Sequence, residues 1–501
     1  MDFLQNLGLG FSVALLPYNL LFCFIGCFLG TAIGVLPGIG PLGTIAILLP
    51  VTFGVSPEAA LIMLAGIYYG AQYGGSTTAI LINLPGEATS AVTAIDGYQM
   101  ARQGRAGTAL AIAALGSFFA GTVATFAIAI FAKPLTSLAL SFSPADYFAL
   151  MVLGLVASIA LAHGSVLKGL AMILLGLLLG CVGTDSYTGV MRFTLGTLDL
   201  ADGIPIVAFG AGIYALGEIL RGLEDESDAP VTVAPVNNRL PSLADLKEAT
   251  APVIRGTLLG SVLGVLPGGG ALLSAFTSYA IEKKLSRTPE RFGHGAMAGV
   301  AGPESANNAG AQTSFIPMLT LGIPSNPIMA LMVGALILQG IIPGPNLITE
   351  QPKLFWGVIA SMWVGNLMLV ILNLPLIGLW LKLLKIRPHY LFPTILGFSM
   401  IGVYSISNSA FDLYLMAFFG AAGYVLGKLD CEPAPMLLGF VLGPLLEEYL
   451  RRAMILADGD VAVLIQRPLS ATLLAVAAAL LVVILLPFIR KRRKEVFVED
   501  E

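Results

Sequence analysis

Three residues in one glycine- and alanine-rich stretch could hold a proton or a cation: Glu304, Asn307 and Asn308, within "GPESANNAGAQTSF". A carboxyl in a segment that lies inside a membrane is expensive and usually functional, and the two amides would add neutral oxygens. Two plainer readings compete with ion coupling: Glu304 could pair with Arg291, or it could cap a half-helix. A second polar set is small and neutral. Gly75, Ser76, Thr77 and Thr78 in "YGGSTTAILINLPG", and Gln312, Thr313 and Ser314 in "AQTSF", offer hydroxyl, amide and backbone N–H donors, with Asn83 beside the break that follows the first run. Such donors suit carboxylate oxygens. Neither run contains a Lys or Arg. For each Ser or Thr the alternative is a bond back to a carbonyl one turn earlier.

Both polar runs end at a helix break, "INLPG" at Pro85 and "LGIPS" at Pro324. A matched pair of breaks precedes them. "LGTAIGVLPGIGPL" (Leu29 to Leu42) and "LGSVLGVLPGGGAL" (Leu259 to Leu272) share nine of fourteen positions. Pro-Gly ends a helix sharply, since Pro removes a donor and Gly admits positive φ. Inside a bilayer such a break survives only where protein or a wet cavity satisfies the freed groups. Pro37-Gly38 and Pro267-Gly268 are therefore expected to be the tips of discontinuous helices, whose N-termini favour anions and whose C-termini favour cations.

The elements that must carry these residues are membrane helices. The 501 residues are 56% hydrophobic and only 11% charged, with mean hydropathy +0.87, and apolar runs of about 20 residues recur throughout, the length that crosses a bilayer. The net charge of −4 carries no hint of nucleic-acid binding. Cys23, Cys27, Cys181 and Cys431 form no metal spacing, and Cys23 and Cys27 read as packing residues. "MDFLQNLGLGF" has no basic n-region, so no cleavable signal peptide is expected.

Spans are expected near 11–36, 40–55, 58–96 (interrupted), 107–132, 144–163, 166–182 and 203–221. They recur near 243–266, 269–283, 293–342 (interrupted), 354–382, 391–409, 412–428 and 434–450, with one more near 470–489. The expectation is an all-α polytopic membrane protein of about 12 or more segments. It divides into a first inverted repeat (1–221), a cytoplasmic linker (222–242), a second inverted repeat (243–455) and a C-terminal helix with a basic tail (456–501). "SPEA" at Ser56 and "SPAD" at Ser143 read as helix starts. Asp96, Arg102 and Arg105 read as a solvated turn.

Lys and Arg set the orientation. None precedes Arg102, and the clusters are Glu282–Arg291, Lys382–His389 and Arg490–Lys494. With these in the cytoplasm, the N-terminus is outside and the C-terminus inside. Each half then has five crossings after its Pro-Gly hairpin, so the second is inverted relative to the first. Arg451, Arg452 and Arg467 fall outside and count against the scheme. Paired broken segments in inverted halves point to a secondary-transporter binding site.

At "GVLPGIGPL", "YGGSTTAILINLPG", "DGYQMARQGRAGTAL", "GPESANNA" and "LTLGIPS" the sequence resembles the large membrane subunit of the bacterial tripartite tricarboxylate transporters, and the resemblance extends over nearly the whole chain. It implies a permease in the cytoplasmic (inner) membrane that imports a citrate-like or other carboxylate on a Na+ or H+ gradient. It also implies a small membrane subunit and an extracytoplasmic solute-binding protein as partners, with no bound cofactor. A stand-alone carboxylate transporter, a channel and an intramembrane enzyme are the rivals. For the enzyme, His163, His294 and His389 form no HExxH, and no phosphate-binding loop of the ATPase type occurs.

Cysteines placed one at a time at Arg102, Lys284 and Lys385, in a chain freed of its native cysteines, are expected to resist an impermeant thiol reagent on intact cells. Ready labelling at Lys284 would break the scheme.

Overall fold

The computed structural model describes residues 3–36, 40–161, 165–185, 187–224, 241–266, 270–383 and 388–485. Pro37, Gly38, Pro267 and Gly268, most of the expected linker, His163 and the basic tail lie outside these residues.

The described chain is nearly all helical. The first half runs α1 (Phe3–Ala14), α2 (Pro17–Gly34), α3 (Gly40–Leu48), α4 (Pro57–Ile82), α5 (Ala91–Met100), α6 (Ala106–Leu140), α7 (Pro144–Leu161) and α8 (Val166–Gly180). A small antiparallel hairpin, β1 (Gly183–Thr184) and β2 (Met191–Arg192), leads to α9 (Ile206–Gly210) and α10 (Gly217–Gly222). The second half opens with α11 (Leu243–Leu263), α12 (Gly270–Leu285), α13 (Ala298–Thr313), α14 (Phe315–Leu321) and α15 (Pro327–Leu338). After them come α16 (Leu347–Glu350), α17 (Pro352–Asn373), α18 (Ile377–Leu383), α19 (Pro388–Ser407), α20 (Ala410–Lys428) and α21 (Ala434–Leu456). The last elements are α22 (Val463–Gln466) and α23 (Pro468–Leu485).

Five described helical segments are long and apolar enough to cross a bilayer by length and composition: Pro17–Gly34, Ala88–Leu140, Pro352–Asn373, Ala410–Lys428 and Pro468–Leu485. Other apolar helices are shorter. Two expected spans are each a pair of helices, because Pro17 separates α1 from α2 and Pro375 lies between α17 and α18. The helix starts at Ser56 and Ser143 form as expected. Ser56 accepts the Ala59 N–H at 3.3 Å, while Ser143 and Asp146 bond each other reciprocally.

α4 and α13 carry the polar sets, and neighbours bury them almost end to end. Glycines make this burial possible. A Cβ on Gly26, Gly30 or Gly34 of α2 would strike the carbonyl oxygens of Met63, Ile67 and Ala71 on α4. A Cβ on Gly256, Gly260 or Gly264 in the second half would strike those of Gly302, Ala306 and Gly310 on α13. The two sets correspond residue by residue, at a separation of 230 (Gly26 to Gly256) and 239 (Met63 to Gly302). Small residues every fourth position let two backbones approach, which is how helices associate where the surroundings are as apolar as the side chains. Cys23 and Cys27 pack in the same seam against α17, with Cys27 Sγ 3.6 Å from the Gly365 carbonyl.

Ion pairs join segments that the charge pattern assigns to one face. Arg105 meets Asp245 at 2.9 Å, Arg291 meets Glu248 at 3.2 Å, Lys168 meets Asp430 at 3.6 Å and Lys428 meets Glu224 at 2.5 Å. The three arginines that counted against the scheme are each paired. Arg451 binds Asp185 at 2.7 Å, Arg452 binds Glu448, and Arg467 lies 3.3 Å from Asp146. The Arg451 guanidinium holds the Asp185 carboxyl well below the usual carboxylate range. This clamp fastens the β-hairpin onto α21.

Asp96 corrects the sequence reading. It is fully buried and not part of a solvated turn. One carboxylate oxygen accepts the N–H groups of Gly293, Gly295 and Ala296 at 2.8–2.9 Å, and the other accepts the Tyr279 hydroxyl at 2.9 Å. The residue satisfies the otherwise unpaired amides ahead of α13, and so ties α5 to the second half. Arg102 is exposed as expected.

Gly30→Ala and Gly260→Ala should each destabilise the purified protein by about 1–3 kcal/mol through overpacking. Gly8→Ala, which meets nothing within 4 Å, should be neutral or stabilising by up to about 1 kcal/mol. Thermal unfolding in detergent compares the three, and equal midpoints would refute the packing role.

Candidate functional site

Two breaks build the centre of the molecule. α4 ends at Asn83 in the left-handed conformation (φ 59°), and α14 ends at Gly322 in the same conformation (φ 73°). These two residues are 239 apart, the spacing of Pro85 and Pro324. Each break then runs extended into a new helix, at Glu87 in the first half and Asn326 in the second. The return contacts also match: the Gly86 N–H bonds the Gly75 carbonyl at 3.4 Å, and the Ser325 hydroxyl bonds the Ser314 carbonyl at 3.3 Å. One difference is exposure. The first tip, Asn83 to Pro85, is exposed, whereas the second is covered.

A cavity of about 150 Å³ opens where the two halves converge. Its lining draws on the first turns of α3 (Leu42), α12 (Ala271, Leu272) and α15 (Pro327, Ile328), with Thr89 and Asn326 just past the two breaks. Tyr68 and Ser158 add hydroxyls and Glu432 a carboxyl, and among the described residues no Lys or Arg lines it. α3, α12 and α15 thus present N-terminal turns to one space. Free N–H groups and roughly half a positive charge at each such end favour an anion. Asn326 is held in place from both ends of its amide: its oxygen accepts the Met329 N–H at 3.0 Å, and its nitrogen donates to Ser314 at 3.1 Å.

Glu304 lies deeper, 1% exposed. Ser76 is 2.8 Å from both of its carboxylate oxygens, and the Thr93 hydroxyl also donates to it. A neighbouring space of about 10 Å³, room for one water, is lined by Ser76, Thr77, Ser117 and Glu304. Asn308 donates to Ser117 at 2.7 Å and to the Glu304 carbonyl at 3.1 Å. Asn307 donates instead to Glu87, at 3.3 Å. Arg291 is paired with Glu248, and Glu304 sits in the interior of α13. Neither plainer reading of Glu304, as an Arg291 partner or a cap, describes this geometry.

The remaining candidates have local partners. Thr77, Thr78, Thr313 and Ser314 each donate to a carbonyl three or four residues back, at 2.7–3.1 Å. Gln312 is buried and faces Thr125 at 3.5 Å, and Asn83 stands apart on the exposed tip. Gly75 has a packing task, since a Cβ there would come within 2.9 Å of the Glu87 side chain. Glu87, Thr89, Thr93, Gln72 and Ser117 were not singled out in the sequence. For Glu87 the only signal was its place directly after the first break, matching Asn326 after the second.

Residues 20–438 match the Tripartite tricarboxylate transporter TctA family. A protein of Agrobacterium vitis described as an uncharacterized 52.8 kDa protein in the TAR-I ttuC' 3' region is 64% identical over all 501 residues, covering both chains completely. A second, from the TAR-II ttuC' 3' region of the same organism, is 64% identical over 242 residues, all of that protein and 48% of this chain. No solved structure matches. On a match spanning both halves and both breaks, the chain belongs to the tripartite tricarboxylate transporter TctA family.

Proposed function

We propose that the chain is the permease of a tripartite secondary transporter that imports a carboxylate across the bacterial inner membrane. Its two halves have inverted topology, and a solute-binding protein and a small membrane subunit complete the system. The observation that carries this reading is the shared cavity. Both halves supply helix N-terminal turns and a residue just past a break to one space that holds polar side chains and no fixed positive charge. Such a site can hold a carboxylate through N–H and hydroxyl donors yet release it, which a buried Lys or Arg would oppose. The hydroxyls of Ser76, Thr77, Thr78, Thr313 and Ser314 lie on the helices behind this space. Of these only Ser314 reaches a lining residue directly, through Asn326, while Ser76 and Thr77 border the small space beside Glu304.

Glu304 is the group through which the Na+ or H+ gradient acts, with Asn307 and Asn308 beside it. Its partners are hydroxyls, and no Lys or Arg pairs with it among the described residues. It can therefore take up and lose a cation without breaking a salt bridge.

Asn326→Asp keeps a good helix cap but puts a negative charge where the anion binds. It should raise the apparent substrate constant at least tenfold, about 1.4 kcal/mol, at normal membrane levels. Uptake measured with and without the binding protein checks both parts of the proposal. Wild-type kinetics in Asn326→Asp would place the substrate elsewhere, and uptake that needs no binding protein would favour a stand-alone carrier. Glu304→Gln should weaken the dependence on the cation gradient; unchanged ion dependence would make Glu304 structural.

A further inference from the structure

The two break residues Glu87 and Asn326 correspond in position and in backbone, both extended, yet their side chains do different things. Asn326 caps its own helix. Glu87 makes no cap bond. Its carboxylate turns away from the local backbone to the Asn307 amide of the other half and to the Thr89 hydroxyl. Thr89 lines the anion cavity and also lies 3.3 Å from the Gln72 amide oxygen.

Two further observations show that this cluster is incomplete as it stands. Asn307 and Gln72 are both fully buried, and each leaves one amide atom without a partner: the Asn307 Oδ1, an acceptor that a cation can use, and the Gln72 Nε2, a donor that it cannot. A buried polar atom left unpaired is costly, and a ligand that pairs it removes the penalty. The charged and titratable groups around Glu87 are Glu304 on α13, Glu432 and Tyr68 at the cavity, and among the described residues no Lys or Arg pairs with it. The surroundings are rich in oxygen and short of positive charge, the chemistry of a small monovalent cation or a proton.

We propose that Glu87 is a second cation-binding carboxylate, held by Thr89 and Asn307 with Gln72 behind Thr89, and that it couples cation binding to anion binding in the adjacent cavity. The inference rests on the carboxylate reading of that cavity. With Glu87 ionised and empty, its charge stands one hydroxyl away from the anion site and opposes the substrate. A cation on Glu87 cancels that charge, and the Asn307 amide, which now donates its nitrogen to Glu87, turns over to offer the cation its unpaired oxygen. By linkage each ligand then favours the other, and couplings of this kind are about 5- to 150-fold in affinity. Gly75 leaves room for the carboxylate, and the thread from cavity to Thr89, Glu87 and Asn307 ends on the helix that bears Glu304.

The test uses the full chain purified in detergent and Glu87→Gln, which keeps shape and removes charge, with Glu87→Asp as the charge-retaining control. Thermal midpoints are compared in NaCl against choline chloride at fixed pH, and across pH in choline chloride. The wild type should be stabilised in one arm, sodium or proton; Glu87→Gln should respond less, keeping only the share that Glu304 carries, and Glu87→Asp should keep the wild-type response. In proteoliposomes, carboxylate exchange by Glu87→Gln should persist without the cation, within about threefold of its value with it, while the wild type loses at least about fivefold. A Glu87→Gln protein with the wild-type cation response, or one that neither exchanges nor accumulates substrate, overturns the proposal. A wild type with a Glu87-dependent cation response but no carboxylate exchange would overturn the function proposed above and leave the cation site standing.

Discussion

Asn83 and Gly322 each stop a helix of an apolar bundle, the first at an exposed tip and the second at a covered one, and the backbone groups freed there need partners that lipid cannot supply. Each unsatisfied group in such surroundings would be worth several kcal/mol. The rest of the core is arranged around this requirement. Gly75 and Ser314 receive the returning strand of each break, α2 and α11 cover the polar helices α4 and α13, and the freed N-terminal turns of α3, α12 and α15 face one cavity. A broken helix is stable here only because neighbours are close enough to complete it.

Closeness comes from glycine. The α2–α4 seam and the α11–α13 seam place glycines directly over carbonyl oxygens, and the same registry recurs in both halves. Tight seams fix the relative height of the helices, and hence the alignment of Ser76 and Thr93 with Glu304 and of Asn307 with Glu87. Ser76, Thr93 and Glu87 of the first half bond Glu304 and Asn307 of the second across these seams. That gives the centre a fixed set of hydrogen bonds in surroundings that offer no water to replace them.

The periphery is fastened differently. At its ends the bundle relies on charge: Arg451 and Arg192 on Asp185 and Glu447, Arg467 on Asp146, Arg105 on Asp245, Lys428 on Glu224. The exposed pairs among them, such as Lys428 with Glu224, contribute little each, whereas Asp185 and Asp146 are buried carboxylates that need their arginines. Each of Arg451, Arg452 and Arg467 comes with an acid.

The all-helical class, the position of nearly every helix, the matched Pro-Gly phrases and the separate standing of Glu304 were legible in the sequence. Hydropathy, Pro and Gly act locally, and a carboxyl in an apolar stretch is conspicuous wherever it points. The partners of these groups were not legible. Asp96 looked like a loop residue because its three amide partners lie about 200 positions away. Thr77 and Thr313 could be read as ligand donors or as bonded back along the helix, because such a bond leaves no trace in the spacing. Glu87 went unremarked because an acid after a break ordinarily caps its own helix, and only the fold turns it toward Asn307. Sequence determines where a chain can break and which groups it must bury; which buried groups meet is decided by the packing of helices distant in the chain.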